Sequence, residues 1–233
     1  MSLSNTSELS GKRIGIVLPS SNTVVEPLAA DMLAGTGVTA HFSRLGVINV
    51  ALDARSKAQF ELQRHVDAAK LLADADVDVI VWGGTSASWL GSEHDQAFCK
   101  SVFEQTGIPA TSCVLEMNRT LLGGGALRFG LVTPYTDDVR KQIIANYHSM
   151  GHICCATENY GGTLSCDFAK IDPDTVALMV RSVAVSLPDV VFIMCTNVRG
   201  AAIATPLSEE LGFPVIDSAA MTITAGLEML QRT

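Results

Sequence analysis

Short apolar runs alternate with segments of helical periodicity along the whole chain of 233 residues. Runs such as VDVIVW and DVVFIM are almost entirely apolar, which is typical of strands covered on both faces. Strands are predicted near 13–18, 39–45, 78–83, 109–112, 127–133, 152–157, 189–194 and 213–216. Helices are predicted near 23–34, 56–74, 92–106, 114–122, 136–149, 173–186, 201–211 and 218–231. This alternation indicates parallel sheets with helices packed outside them.

The second half of the chain repeats the first. RIGIVLPSS (13–21) aligns with RFGLVTPYT (128–136), VDVIVWGGTS (77–86) with PDVVFIMCTN (188–197), and TGIPATS (106–112) with LGFPVID (211–217). We therefore predict an α/β protein of two similar Rossmann-like halves, each with a parallel four-stranded sheet, related by a pseudo-two-fold axis. We assign residues 1–115 and the C-terminal helix, about 217–233, to an N-terminal lobe. Residues 116–216 form the C-terminal lobe.

The loops that follow four of the predicted strands are rich in hydroxyl, amide and small side chains. They are SSN (20–22), GGTS (83–86), PYT (134–136) and CTN (195–197). Ligands of open α/β sheets bind beyond the carboxyl ends of the strands, and each loop precedes a predicted helix whose N–H groups can face an anion. We therefore place the active site in the cleft between the halves. A carboxylate there would meet neutral donors rather than Arg or Lys.

Composition narrows the classes of partner. The net charge is −8 and no run of Lys or Arg occurs, which argues against nucleic acid and anionic membranes but leaves a small anionic ligand open. No apolar run reaches the roughly 18 residues of a membrane span. The N-terminus, MSLSNTSELSGK, lacks the apolar core of a secretory signal and is predicted to be a short disordered leader. We expect a cytoplasmic protein, with a homo-oligomer left open.

No motif for a metal or a cofactor is present. The six cysteines form no CxxC pair and have no His partner at zinc spacing, so we expect six free thiols and no metal. The chain contains no GxGxxG, no GxxxxGK[ST] and no GxSxG, and its five histidines form no ligand spacing. His94 and Asp95 are expected on a solvated helix.

Cys195 remains as the candidate for proton transfer. It directly follows the apolar run FIM and precedes Thr196 and Asn197. It is either a buried cysteine at a strand end or a catalytic thiol. Nearby helix N-termini are expected to lower its pKa, so that it can take and give a proton near neutrality. In the repeat, Gly84 occupies the position that corresponds to Cys195.

At these residues the chain resembles the aspartate/glutamate racemase superfamily, and more closely its branch of maleate cis-trans isomerase and arylmalonate decarboxylase. LPSSNTVVEP is similar to the opening substrate loop of the isomerases, and GTSAS and TPYTDDV are similar to decarboxylase loops. CTNVRG and the ELGFPVIDS ending also fit this branch. The resemblance covers nearly the whole chain.

The resemblance implies a mechanism with one catalytic cysteine and no cofactor. Racemases and isomerases of the superfamily use two cysteines on opposite sides of the substrate, whereas the decarboxylase keeps only the second and has glycine at the first site. Gly84 and Cys195 match the decarboxylase. The resemblance thus implies decarboxylation of a substituted malonate through an enediolate that Cys195 protonates on one face. The implied substrate-binding residues are Asn22, Gly84, Thr85, Ser86, Tyr135, Thr196 and Asn197, with backbone N–H groups contributed by Ser86 and Thr196.

Other features resemble the isomerases. SSN at 20–22 and the Thr196–Asn197 pair are isomerase-like, while an asparagine of the isomerases aligns nearest to Ser165, with Asn159 upstream. The substrate is therefore left open between an arylmalonate and a small aliphatic or amino-acid-derived diacid. A cis-trans isomerase or racemase and a non-catalytic dicarboxylate-binding protein are the alternatives.

The same residues also have ordinary structural interpretations. Gly84 can ease a tight turn, Ser86 or Ser88 can cap a helix, Asn22 can cap the first helix, and Tyr135 can anchor a loop through its ring. If the halves face each other, Gly84→Cys is expected to create or enhance racemisation.

Overall fold

Eight parallel strands form two sheets in the computed structural model, which describes residues 9–125 and 127–232. The first sheet contains β1 (Arg13–Pro19), β2 (Thr39–Leu45), β3 (Val79–Trp82) and β4 (Ala110–Ser112). The second contains β5 (Arg128–Thr133), β6 (Ile153–Asn159), β7 (Val190–Ile193) and β8 (Val215–Asp217). Their strand orders are β2-β1-β3-β4 and β6-β5-β7-β8, the same order in both halves. The predicted fold of two four-stranded parallel sheets is confirmed.

Eleven helices lie between and after the strands in the described part of the chain. Those of the first half are α1 (Val25–Met32), α2 (Ala54–Ala58), α3 (Leu62–Ala73), α4 (Ala87–Leu90), α5 (Ser92–Thr106) and α6 (Cys113–Gly124). Those of the second half are α7 (Asp137–Ser149), α8 (Ser165–Phe168), α9 (Pro173–Ala184), α10 (Ala201–Leu211) and α11 (Ser218–Arg232). Most of the predicted leader, residues 1–8, lies outside the described residues.

The helix predicted over 56–74 is wrong as a single element. The chain forms α2 and α3 with a break at residues 59–61, and the short helices α4 and α8 were not predicted. Asp53 caps α2 by accepting a hydrogen bond from the Ser56 N–H (3.0 Å). At the break, the buried ring of Phe60 lines the cleft between the halves.

The repeat extends to individual contacts. Asp78 accepts a hydrogen bond from the Arg13 N–H (2.8 Å), and Asp189 accepts the equivalent bond from the Arg128 N–H (2.8 Å). In each half the aspartate just before the third strand thus satisfies the first N–H of the opening strand. The internal duplication predicted from the sequence is confirmed by this shared architecture.

Helix α11 follows the second sheet but packs on the first one, against β3, β4, α1 and α6. Gly226 allows this close approach, because a Cβ atom there would lie 2.7 Å from Ile14 Cγ2. The exact lobe boundaries, at about 115 and 217, stay a prediction. None of the helices in the described residues has the length and hydropathy that would let it span a membrane.

Candidate active site

A small cavity lies between the two halves, beyond the carboxyl ends of the strands. Both halves line it, with Pro19, Val47, Val50, Phe60, Trp82, Gly84, Thr85, Ser86, Trp89, Tyr135, Ser165, Phe168, Cys195, Thr196 and Asn197. None of these described residues is charged. The cavity volume is about 20 Å³, which holds one or two water molecules. A substrate larger than this requires the walls to move.

Seven of the eight residues predicted from the sequence line this one cavity. They are Gly84, Thr85, Ser86, Tyr135, Cys195, Thr196 and Asn197. Asn22 is fully buried and does not line it. The structure therefore brings together the loops after β3, β5 and β7, while β1 contributes its last residue, Pro19.

The Cys195 sulfur is buried among hydrogen-bonding groups. The Asn197 N–H donates to it (3.4 Å), and the Tyr135 hydroxyl is within hydrogen-bonding reach. Burial nevertheless raises the pKa of Cys195 to about 11. The expectation that helix N-termini lower this pKa is therefore wrong, since α10 begins only at Ala201 and the desolvation of the thiolate dominates. At neutral pH, Cys195 holds its proton.

Tyr135 connects the two halves at the sulfur. Its Oη lies 2.6 Å from Thr85 Oγ1, so hydroxyl groups of both halves meet beside Cys195. Burial raises the pKa of Tyr135 well above its ordinary value, which keeps the phenol neutral and able to donate. Its ring packs edge-on against Trp89 and Phe168, so the predicted loop-anchoring contact also exists.

Several buried backbone N–H groups at the cavity have no acceptor in the described part of the chain. They include those of Ser86 and Thr196, which are almost completely buried and line the cavity. A buried N–H without a partner costs free energy, so such groups are rare away from ligands or water. The N–H groups of Ser86 and Thr196 are uncharged donors that can bind an oxygen anion.

Asn22 holds the two halves together. Its Nδ2 donates to the Thr196 carbonyl (3.0 Å) and to Thr196 Oγ1 (3.2 Å), while its Oδ1 accepts from the N–H groups of Val24 and Val25 (both 3.0 Å). All four hydrogen bonds that an amide side chain can make are thereby used. Asn22 thus caps the start of α1 and positions Thr196. Direct contact of Asn22 with a substrate stays a prediction.

The space beside Gly84 is filled by an indole ring. A Cβ atom at position 84 would lie 2.2 Å from Trp82 Cζ2, closer than side chains can approach. The backbone at Gly84 is not in the left-handed region, so the interpretation of Gly84 as a conformational aid to a tight turn is wrong. Trp82 Nε1 donates to Ser86 Oγ (3.2 Å), whereas the Ser86 side chain makes no capping bond to α4.

Sequence reasoning missed the aromatic wall of the cavity. Phe60 and Trp89 contact each other edge-to-face at 5.8 Å, and Trp89 contacts Tyr135 in the same way at 5.1 Å. Trp89 lies on α4 and Phe168 on α8, the two short helices that periodicity did not reveal. In the sequence, this part of the wall is indicated only by aromatic residues outside the predicted helices and strands, and this feature alone does not identify a site.

The expectation that His94 and Asp95 are solvated is wrong. Asp95 is fully buried, and His94 Nδ1 lies 3.4 Å from its Oδ1. His94 Nε2 lies 2.7 Å from the Phe60 carbonyl oxygen, so this pair holds the break between α2 and α3 in place. Burial opposes protonation of His94, but its bonds to Asp95 and to Phe60 raise its pKa.

Two similar α/β halves that enclose a thiol and neutral donors define a two-lobed α/β protein with a candidate active site between its lobes. A sequence profile of the family described as arylmalonate decarboxylase matches residues 14–232, and the chain belongs to this family. The chain is also 26% identical over 235 residues to a maleate isomerase of Geobacillus stearothermophilus, covering 94% of this chain and 91% of that protein. Both names are those of enzymes, and this chain is an enzyme of the same family.

Solved structures share the fold. A mutant of the maleate cis-trans isomerase of Nocardia farcinica with a covalently bound succinylcysteine intermediate is 23% identical, with a TM-score of 0.85 over 94% of this chain and 93% of that one. Arylmalonate decarboxylase is 22% identical, with a TM-score of 0.75 over 93% of this chain and 91% of that one. At these identities, the likeness shows a common fold.

Proposed function

We propose that this enzyme is a cofactor-independent decarboxylase of a substituted malonate or a similar small dicarboxylate. The observation that supports this most directly is the asymmetry of the cavity. Cys195 presents a protonated thiol on one side, while Gly84 and the ring of Trp82 lie at the equivalent place on the other. Replacing a carboxylate by a proton requires one acid, whereas moving a proton between two faces requires two groups.

Once its walls move apart, the cavity would place the two carboxylates of a malonate in different surroundings. One carboxylate would accept hydrogen bonds from the Ser86 hydroxyl, from the one proton that the hydrogen-bonded Thr85–Tyr135 pair leaves free, and from the N–H groups of Ser86 and Thr196. The other would face the apolar wall of Val47, Val50, Phe60 and Trp89. A carboxylate is poorly solvated against such a wall, which favours its departure as neutral CO₂.

The reaction then needs only groups of this chain. The bond from carbon to the departing carboxylate breaks, and its electron pair moves onto the retained carboxylate to form an enediolate. These hydrogen-bond donors stabilise the growing negative charge, by about 2 to 4 kcal/mol for one well-placed donor. The Cys195 S–H transfers its proton to the carbon, which gives a single enantiomer. The thiolate, stabilised by the Asn197 N–H, takes a new proton from water.

Cis-trans isomerisation of a maleate-like diacid is the second candidate. The likeness to maleate isomerases over almost the whole chain favours it, together with the isomerase-like Thr196–Asn197 pair. The absence of a thiol at position 84 weighs against it, because the superfamily's isomerases resemble the racemases in using one cysteine from each half.

Turnover in deuterated water distinguishes the two candidates. Substituted malonates and maleate are offered separately, and products are followed by NMR and chiral chromatography. We expect CO₂ and a monodeuterated acid of one configuration, with Cys195→Ala lowering the rate roughly 10²–10⁴-fold. Cys166→Ala is the matched control, since Cys166 is exposed and does not line the cavity. Fumarate from maleate, with no CO₂ from any malonate, would overturn the proposal in favour of the isomerase.

A further inference from the structure

The ring of Trp82 occupies the place of a second acid. A Cβ atom on residue 84 would lie 2.2, 2.6 and 2.8 Å from Trp82 Cζ2, Cε2 and Cη2. The backbone of Gly84 itself permits other residues. The indole ring, and not the main chain, therefore excludes a side chain here.

The indole ring is held firmly in this position. Trp82 is fully buried at the end of β3 and packs edge-on against His65, with 4.5 Å between ring centroids. Its Nε1 is bonded to Ser86 Oγ. In the second half, the residue at the same place in the repeat is Ile193, two positions before Cys195. The smaller side chain there coexists with a thiol that lines the cavity.

Trp82 also directs a donor into the cavity. Because Ser86 Oγ accepts the indole N–H, its own proton must point elsewhere. None of the described residues accepts that proton, and Ser86 lines the cavity. The Ser86 hydroxyl is thus prepared to donate to a substrate oxygen.

We propose that Trp82 determines the reaction specificity of this enzyme, by excluding an acid at position 84 and by orienting the Ser86 hydroxyl toward the substrate. The inference rests on the proposed decarboxylation. It changes the expectation for Gly84→Cys, because a thiol at 84 gains access to the substrate only when the indole ring is removed. Trp82 is accordingly a positioning residue that acts through residues 84 and 86.

The steric part is tested with Gly84→Cys, Trp82→Leu and the double variant. We expect Gly84→Cys alone to lower the Tm by about 5 °C and to yield no racemisation. The double variant should lose less Tm than the two single losses added together, and should exchange the α-proton of both product enantiomers for deuterium. Gly84→Cys that is as stable as the wild type and racemises by itself would overturn the inference.

The hydrogen-bond part is tested with Trp82→Phe, which keeps a ring but removes the indole N–H. We expect Trp82→Phe to lower kcat/KM five- to tenfold. The double variant with Ser86→Ala should have the same kcat/KM as Ser86→Ala alone. Independent losses from the two changes would contradict the role of Trp82 in orienting Ser86.

The stability measurements separate failure of this inference from failure of the proposed function. If the wild type decarboxylates no malonate, the Tm coupling between positions 82 and 84 still tests the steric claim. If decarboxylation is found but the Tm losses simply add, the inference about Trp82 fails alone.

Discussion

Burial controls the protonation of the Cys195 sulfur. The neighbouring hydrogen-bond donors, Tyr135 and the Asn197 N–H, favour the thiolate, while burial and the nearby Asp217 carboxyl oppose it. With a pKa of about 11, about one thiol in ten thousand is ionised at pH 7. This suits a group that must hold a proton until a carbanion forms. It does not suit a nucleophile that must attack as a thiolate.

The first prediction concerns the alkylation of Cys195. Because only the thiolate reacts, the rate with iodoacetamide should rise about tenfold per pH unit from pH 7 to 10 and level off near pH 11. Mass spectrometry of the Cys195 peptide gives the rate, with the exposed Cys166 labelled in the same sample as the control for reagent activity. A plateau at pH 7–8 would show that Cys195 is a ready thiolate and would weaken its role as the acid.

The second prediction concerns Asp217, which is buried at the end of β8 behind the site. Burial raises its pKa to about 7, although its Oδ1 accepts a hydrogen bond from the Ala220 N–H (2.8 Å). Between pH 4 and 7 the folded state therefore retains a proton that the unfolded state has lost. The stability that the retained Asp217 proton contributes is fully present below about pH 4 and is lost as the pH rises through 7.

Denaturant unfolding from pH 4 to 8 measures this contribution. The wild type should lose up to about 4 kcal/mol more than Asp217→Asn across this range, since asparagine keeps the oxygen acceptor but does not ionise. The difference between the two proteins removes the effects of other titrating groups. Parallel stability curves would mean that Asp217 is ionised in the folded protein at low pH.

At the level of elements, continuous apolar strands and the internal repeat made the fold predictable. The break between α2 and α3 was not predictable, because residues 59–61 contain no Gly or Pro. It is stabilised by distant partners: His94 contacts the Phe60 carbonyl, and the Gln59 side chain bonds the loop after β2. The predicted thiol and the polar loops follow strands, so the pattern of apolar runs located them. The apolar wall of the cavity depends on tertiary contacts of this kind, so the same pattern did not reveal it.

Two loops, one from each half, close over the cavity. Asn49 forms an antiparallel bridge with Leu164, and the Val50 N–H donates to the Thr163 carbonyl (3.0 Å). The Ser165 N–H donates to the Ile48 carbonyl (2.9 Å). Val47 and Val50 of the first loop line the cavity, as does Ser165 at the start of α8. Since the closed cavity holds only one or two waters, we expect this pairing to loosen when a substrate enters.

The third prediction concerns Gln59, which shapes the first of these loops. Its Oε1 accepts from the Ile48 N–H (2.7 Å), and its Nε2 donates to the Asn49 carbonyl (2.9 Å). Gln59→Ala should raise KM about five- to tenfold, because the loop no longer packs on the bound substrate, with a smaller effect on kcat. Steady-state kinetics on the malonate with the highest turnover give both values.

Gln63→Ala is the matched control for Gln59→Ala. Gln63 is the next glutamine along the chain, and within the described residues its exposed side chain bonds to Asp67, one turn further along α3. Its substitution should leave KM unchanged. Equal effects of the two substitutions would show that the loop after β2 does not govern substrate binding.

On the scale of the whole molecule, the strand-end loops that line the site also join its two halves. Thr196 Oγ1 donates to the Gly83 carbonyl (2.9 Å), and Asn22 donates to Thr196. Asn197 makes bonds to three places: its Nδ2 donates to the carbonyls of Ser21 (3.2 Å) and Ser165 (2.7 Å), and its Oδ1 accepts from the Thr23 N–H (2.9 Å). Placing Cys195 against Thr85 and Tyr135 therefore depends on the relative position of the halves.

The fourth prediction follows for Asn197→Ala, which leaves three backbone groups without their partner, the Ser165 carbonyl being the buried one. The free energy of unfolding should fall by about 3 kcal/mol, and Cys195 should react faster with iodoacetamide at fixed pH because the halves separate more readily. Asn159→Ala is the control, since among the described residues the Asn159 side chain bonds the Tyr135 carbonyl, within the second half. The Asn159→Ala substitution should cost about 1 kcal/mol of stability and leave the alkylation rate of Cys195 unchanged. If Asn197→Ala destabilises the protein but does not alter Cys195 alkylation, access to the thiol is controlled by the loops over the cavity and not by the contact between halves.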